Sequence, residues 1–141
     1  MFIDTNVLVH AAAPGAPDRE RARAALARSA AAGEPIRISR QILREFVAVI
    51  TRPQLWAQAK TPSEAASAAL VITRDFEILE DGPLVWDKLV ELCGRFAFGG
   101  RQVHDANIVA TMLAHGERRL LTFNGADFQR FAPLIEVVVP P

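Results

Sequence analysis

The chain has one cysteine, Cys93, and only three histidines among its 141 residues. A single thiol excludes an internal disulfide framework and a cysteine-built zinc site. It suits a reducing, cytoplasmic setting. The histidines show neither HxH nor HExxH spacing, which disfavours zinc further. Net charge is missing too, because 16 basic side chains balance 16 acidic ones. A general polyanion-binding surface is thereby disfavoured, and any nucleic-acid contact must come from a local patch. The longest stretch without Asp, Glu, Lys or Arg, Thr5 to Pro17, holds two prolines and a glycine. It is too short and too broken to span a bilayer. The opening residues lack a basic region and reach Asp4 at once, so no secretory signal is expected. No GxGxxG loop follows the first apolar run, which argues against a dinucleotide site. The run ends in Asp4-Thr5-Asn6 rather than the Asp-x-Asp of a phosphatase-like domain.

What is present is an ordinary globular balance, 50% hydrophobic and 23% charged, without linker or repeat. The expectation is one domain over residues 1–141, burying roughly 70% of its unfolded surface. Short apolar runs alternate with helical segments. Met1-Phe2-Ile3 reads as a buried strand stopped by a polar loop or helix start. Asp18 to Ala32 reads as a helix closed at Gly33, and Ile36 to Ile38 as a second strand. Ser39 caps a helix through Ile50, ended before Pro53, and another runs from Ser63 to about Thr73. Phe76–Leu79 is a third strand and Leu84–Arg95 a helix. After a loop with Gly99-Gly100, Asp105–His115 is a helix closed by Gly116. Leu120–Phe123 and Ile135–Val139 complete five strands. This alternation predicts an α/β fold, a three-layer α/β/α sandwich with a central, mainly parallel five-stranded sheet. Ligands of such folds bind outside the carboxyl ends of the strands.

Four acids stand out by position. Asp4 directly follows the first strand. Glu45 falls roughly 60° from Ile42 on the helical wheel, flanking the apolar stripe of Ile42, Phe46, Val49 and Ile50, where a lone carboxylate is costly without compensation. The solvent side of that helix is assigned to Gln41, Arg44 and Ala48. Asp105 opens its helix, and Asp127 follows the fourth strand. Taken singly, Asp4, Asp105 and Asp127 read equally well as helix caps, Glu45 as half of a salt bridge, and His104 as structural. Taken together, a parallel sheet would gather them at one edge, where they repel one another and raise each other's pKa. A hard divalent ion, Mg²⁺ or Mn²⁺, relieves that conflict through oxygen ligands.

Four segments then resemble the PIN-domain family, and specifically the VapC-type ribonuclease toxins of toxin–antitoxin pairs. They are Phe2-Ile-Asp-Thr-Asn-Val-Leu-Val, Ser39 to Phe46 with Glu45, His104-Asp-Ala-Asn-Ile-Val-Ala-Thr-Met-Leu, and Leu121-Thr-Phe-Asn-Gly-Ala-Asp-Phe. They span nearly the whole chain in the family's order. The resemblance implies Asp4, Glu45, Asp105 and Asp127 as catalytic, metal-holding acids, with Thr5, Asn6 and Asn124 as supporting polar residues. Asn124 and Asp127 compete for the last acidic position, and Asp127 is preferred for its charge. The implied activity is Mg²⁺- or Mn²⁺-dependent hydrolysis of phosphodiesters in a structured RNA, tRNA or rRNA, leaving 5′-phosphate and 3′-hydroxyl ends. The alternative is a PIN-like scaffold that binds RNA or protein without cutting. Arg40, Arg44, Arg52 and Arg101 are candidate phosphate contacts. The resemblance also implies a homodimer and a VapB-like antitoxin seated over the acids. Leu55, Trp56 and the helix from Ser63 to Leu70 offer apolar area for an interface or for the core.

Overall fold

The computed structural model describes all residues, 1–141. Its elements run β1 (Phe2–Ile3), α1 (Thr5–Ala12), α2 (Arg19–Ala31), β2 (Arg37–Ser39), α3 (Arg40–Ile50), α4 (Pro62–Asp75), β3 (Glu77–Leu79) and α5 (Pro83–Arg95). There follow α6 (Gln102–Ala114), β4 (Arg119–Leu121), α7 (Gly125–Phe128), a 3-10 turn (Gln129–Phe131) and β5 (Glu136–Val138). All strand pairs are parallel, in the order β3-β2-β1-β4-β5. Buried parallel strands require apolar residues in succession, and Phe2, Ile3, Ile38, Leu120 and Leu121 are all fully buried or nearly so. Helix α1 packs on α2 and α3, and α3 on α4, while α5 packs on α6 and α6 on α7. The sheet lies between these two helical groups, giving the α/β/α sandwich that the alternation of strands and helices predicts.

Local chemistry sets most of the boundaries. The Ser39 hydroxyl accepts from the Ile42 N–H at 3.4 Å and caps α3. Gly116, at φ 71°, closes α6 in the left-handed conformation that suits glycine. Helix α4 starts one residue earlier than Ser63, because Thr61 and Glu64 form a capping box with Pro62 between them. Helix α6 starts three residues before Asp105, with Arg101 as its N-cap. Asp105 is therefore in the first turn without capping it, and it enters from a helix that follows another helix rather than from a strand end.

Strand order places the site. From β1 the chain moves outward to β2 and β3, then returns through β4 on the other side of β1 and ends at β5. The direction reverses between β1 and β4, and in open α/β sheets this reversal opens a crevice at the carboxyl ends of the strands. Asp4 follows β1 and Thr122 follows β4 at that crevice, and the Asp4 N–H reaches the Leu121 carbonyl at 3.0 Å.

Candidate active site

Asp4 is the N-cap of α1 by position, but its side chain makes no capping bond. It turns inward, 7% exposed. There its Oδ2 accepts the Thr122 hydroxyl at 2.6 Å and the Asn6 amide at 2.7 Å. Asn6 also donates to Thr122 Oγ1 at 3.1 Å and accepts the Phe123 N–H at 3.0 Å, tying α1 to the end of β4. The Asn124 N–H donates to the same threonine oxygen at 2.9 Å. Burial pushes the Asp4 carboxyl up to about 6; hydrogen bonds from Thr122 and Thr5 oppose the rise, and the Glu45 and Asp105 charges add to it.

Glu45 comes from the second turn of α3. Its Oε2 accepts the Thr5 hydroxyl at 2.6 Å and its Oε1 the Gln41 amide at 2.7 Å. Gln41 is buried, which corrects its assignment to the solvent side of the helix. Its amide also donates to the His104 carbonyl at 2.9 Å, and its oxygen accepts from Asn107 at 2.8 Å. This relay couples α3 to α6 and sets Glu45 relative to Asp105. Asp105 is half-buried, its carboxyl raised by burial and by the charges of Asp127 and Glu45, against the opposing pull of Arg130 and His104. Asp127 lies exposed in α7, of which Asn124 is the N-cap without a side-chain capping bond.

One cavity of about 480 Å³ joins these groups. Asp4, Thr5, Asn6, Glu45, Asp105, Asn124 and Asp127 all line it. None of the four acids is in an ion pair, although most other carboxylates on the surface are. Glu45 thus has hydrogen-bond donors where a salt bridge was the plain structural alternative. The oxygen-only donor set and the uncompensated charge fit a hard divalent cation. The carboxylates ring the cavity rather than close on one point, and no three His, Cys, Asp or Glu side chains stand close enough to enclose an ion.

The arginines divide. Arg52 and Arg101 line the cavity and neither is ion-paired. The Arg40 guanidinium is held by Glu80, at 2.7 Å for the shortest contact, and it lies outside the cavity. Arg44 is exposed on α3 and does not line the cavity either, one residue round the helix from Glu45. Gln41, Asn107 and Thr122 are the polar residues that sequence reasoning missed. Thr122 had a usable signal, standing directly after β4 as Asp4 stands directly after β1.

A PIN-domain family profile matches residues 1–133. No curated protein sequence matches the chain. Among solved structures the fold is similar to VapBC2 of Rickettsia felis bound to a DNA fragment of its promoter, at TM-score 0.70 and 19% identity, covering 98% of this chain and 96% of that one. It is similar to VapC20 of Mycobacterium tuberculosis, a toxin that cleaves the sarcin–ricin loop, at TM-score 0.69 and 20% identity, covering 96% and 97%. A toxin–antitoxin complex of Klebsiella pneumoniae matches at TM-score 0.66 and 22% identity, covering 99% and 97%.

Proposed function

The chain belongs to the PIN-domain family, and from that premise we propose that it is a metal-dependent endoribonuclease, the toxin of a toxin–antitoxin pair. The observation that carries this reading is the set of four carboxylates without ion-pair partners around one cavity, at the crevice between β1 and β4. Asp4, Glu45, Asp105 and Asp127 would hold Mg²⁺ or Mn²⁺. When bound, such a cation acidifies water and neutralises charge on the phosphoryl and departing oxygens.

The chain's own side chains do the positioning. Thr122 and Asn6 orient the Asp4 carboxylate, and Thr5 and Gln41 fix both oxygens of Glu45. Arg52 and Arg101 offer guanidinium groups to the RNA backbone, against the repulsion of the acids. Water entering this cavity attacks phosphorus without needing a ribose 2′-hydroxyl, so the products carry 5′-phosphate and 3′-hydroxyl ends. The test is incubation of labelled tRNA and rRNA with Mg²⁺ or Mn²⁺, and with EDTA, followed by end analysis. Cutting that stops in EDTA is expected. Recovery of 2′,3′-cyclic phosphates rejects the mechanism, and metal-independent binding without cutting supports the scaffold alternative instead.

The partner reading has the same basis. The similar structures from Rickettsia felis and Klebsiella pneumoniae are complexes with antitoxins, and we assign this chain a VapB-like antitoxin that covers the acids. A homodimer would use the apolar residues exposed on and near α4. Leu70 and Val71 are exposed there, Leu55 is wholly exposed, and Ala65 is the one buried residue of the helix. No helix is long and apolar enough to cross a membrane.

A further inference from the structure

The cavity extends well beyond its carboxylates. Its far wall is made by Val9, His10, Val49, Arg52, Gln54 and Trp56. The acids by themselves repel an RNA backbone, and a chain with no net charge has little long-range attraction to offset that. Binding energy must then come from the uncharged faces of the RNA, and stacking of bases on aromatic rings is the strongest such source.

The wall has the parts for it. The His10 ring stands 5.8 Å from that of Trp56, tilted by 58°, and 5.2 Å from that of Phe123. The Arg21 guanidinium covers the Phe123 ring at 5.2 Å and closes that end of the row, leaving Trp56 as its other end. Both His10 and Trp56 remain partly exposed while lining the cavity. The buried Nδ1 of His10 lies 3.6 Å from the Asp18 carboxylate, too far for a hydrogen bond. The Gln54 amide donates to the Val49 carbonyl at 3.2 Å, and its oxygen accepts no hydrogen bond. Arg52 spends its Nε on the Ala48 carbonyl and leaves its two terminal nitrogens unpaired. The wall is also held in place. The Trp56 backbone passes so close to Gly15 that a Cβ there would meet the Trp56 carbonyl oxygen at 2.4 Å.

We propose that the arm of the cavity lined by His10 and Trp56 binds one unpaired nucleobase of the RNA against the exposed part of the Trp56 ring, with Arg52 serving the adjoining phosphate. The inference rests on the nuclease reading above and adds to it the residues of this chain that would hold a base beside the cut bond.

Fluorescence tests it. Trp86→Phe, a change on the exposed face of α5, leaves Trp56 as the only tryptophan. This protein is titrated in EDTA with an adenosine tetranucleotide and with the same tetranucleotide lacking all bases. Both carry the same phosphates, so repulsion by the acids cancels in the ratio. The tetranucleotide is expected to quench Trp56 and to bind at least about fivefold more tightly than the abasic form. In binding followed by calorimetry, Trp56→Ala is expected to erase that ratio and Trp56→Phe to keep most of it. Equal affinities overturn the proposal. So does absence of quenching at millimolar tetranucleotide, which would leave the arm to a side chain of a protein partner. Metal-dependent cutting of bulk tRNA and rRNA is scored separately. Cutting by Trp56→Ala with unchanged KM overturns the subsite and leaves the nuclease standing, whereas base-dependent quenching without any cutting upholds the subsite and removes the nuclease.

Discussion

Burial and two neighbouring carboxylates lift Asp4 to about 6, against 3.8 for the free side chain. Between those values the folded chain binds more protons than the unfolded one, so this residue makes stability fall as pH rises through the window. Denaturation in EDTA from pH 4.5 to 6 is expected to show that decline, and Asp4→Asn to flatten it. A bound cation removes the conflict, so Mg²⁺ is expected to raise Tm at pH 7.5 and to raise it less at pH 5. Asp4→Asn should cost more than about 100-fold in cleavage rate, while Thr122→Val, which removes the hydroxyl that donates to Asp4 and accepts from Asn6 and the Asn124 N–H, should cost about 10- to 100-fold. Glu117 behaves in the opposite way. Burial raises its carboxyl, but the N–H groups of Arg119 and Arg118, the Met1 ammonium and Arg37 outweigh this and hold it down to about 2. Its contribution is complete above the unfolded value of 4.5 and is lost as pH falls towards 2. Glu117→Gln is expected to lower stability at pH 7 by about 3 kcal/mol, at the low end for removing one partner of a buried ion pair, and to flatten the acid limb of a pH titration.

Element by element, the sequence was legible where period and punctuation agree. Ser39, Pro53 and the stripe of Ile42, Phe46 and Ile50 define α3, and the parallel sheet follows from short apolar runs separated by helices. Asp4, Glu45, Asp105 and Asp127 could be named because strand ends, a helix start and a helix flank are places where an acid has a structural cost or an alternative use. Gln41 could not, since it sits at a position that a helical wheel gives to solvent; only the approach of α6, with the His104 carbonyl and Asn107, gives it partners. The wall formed by Gln54 and Trp56 was illegible for a similar reason. It is ordered by contact with the loop between α1 and α2, which no local pattern encodes. Gly15→Ala tests that contact: its Cβ forces the Trp56 backbone away, at a cost of about 1–3 kcal/mol typical of overpacking. Denaturant titration reads the loss, and Trp56 emission should shift to the red. On α4, Leu70→Glu is expected to convert a dimer to a monomer in sedimentation while leaving the helix content unchanged.

At the scale of the whole molecule, charge neutrality and the short supply of cavity arginines limit how strongly salt can act. With Arg52 and Arg101 as the two phosphate contacts, log Kd for single-stranded RNA against log salt should have a slope of about 1.4 in magnitude. A slope several times steeper would point to a basic surface elsewhere. The strand order has a further effect, in time rather than in space. Asp4 is oriented by a threonine 118 residues further along, and β1 needs β4 beside it before the crevice exists. During synthesis the amino-terminal half can leave the ribosome with Asp4 and Glu45 already made, yet the cleft stays unbuilt until the segment through Asp127 has emerged. The four acids therefore share no cavity in the first half of the chain by itself, and the site arises in a single late step, when β4 and α7 join β1.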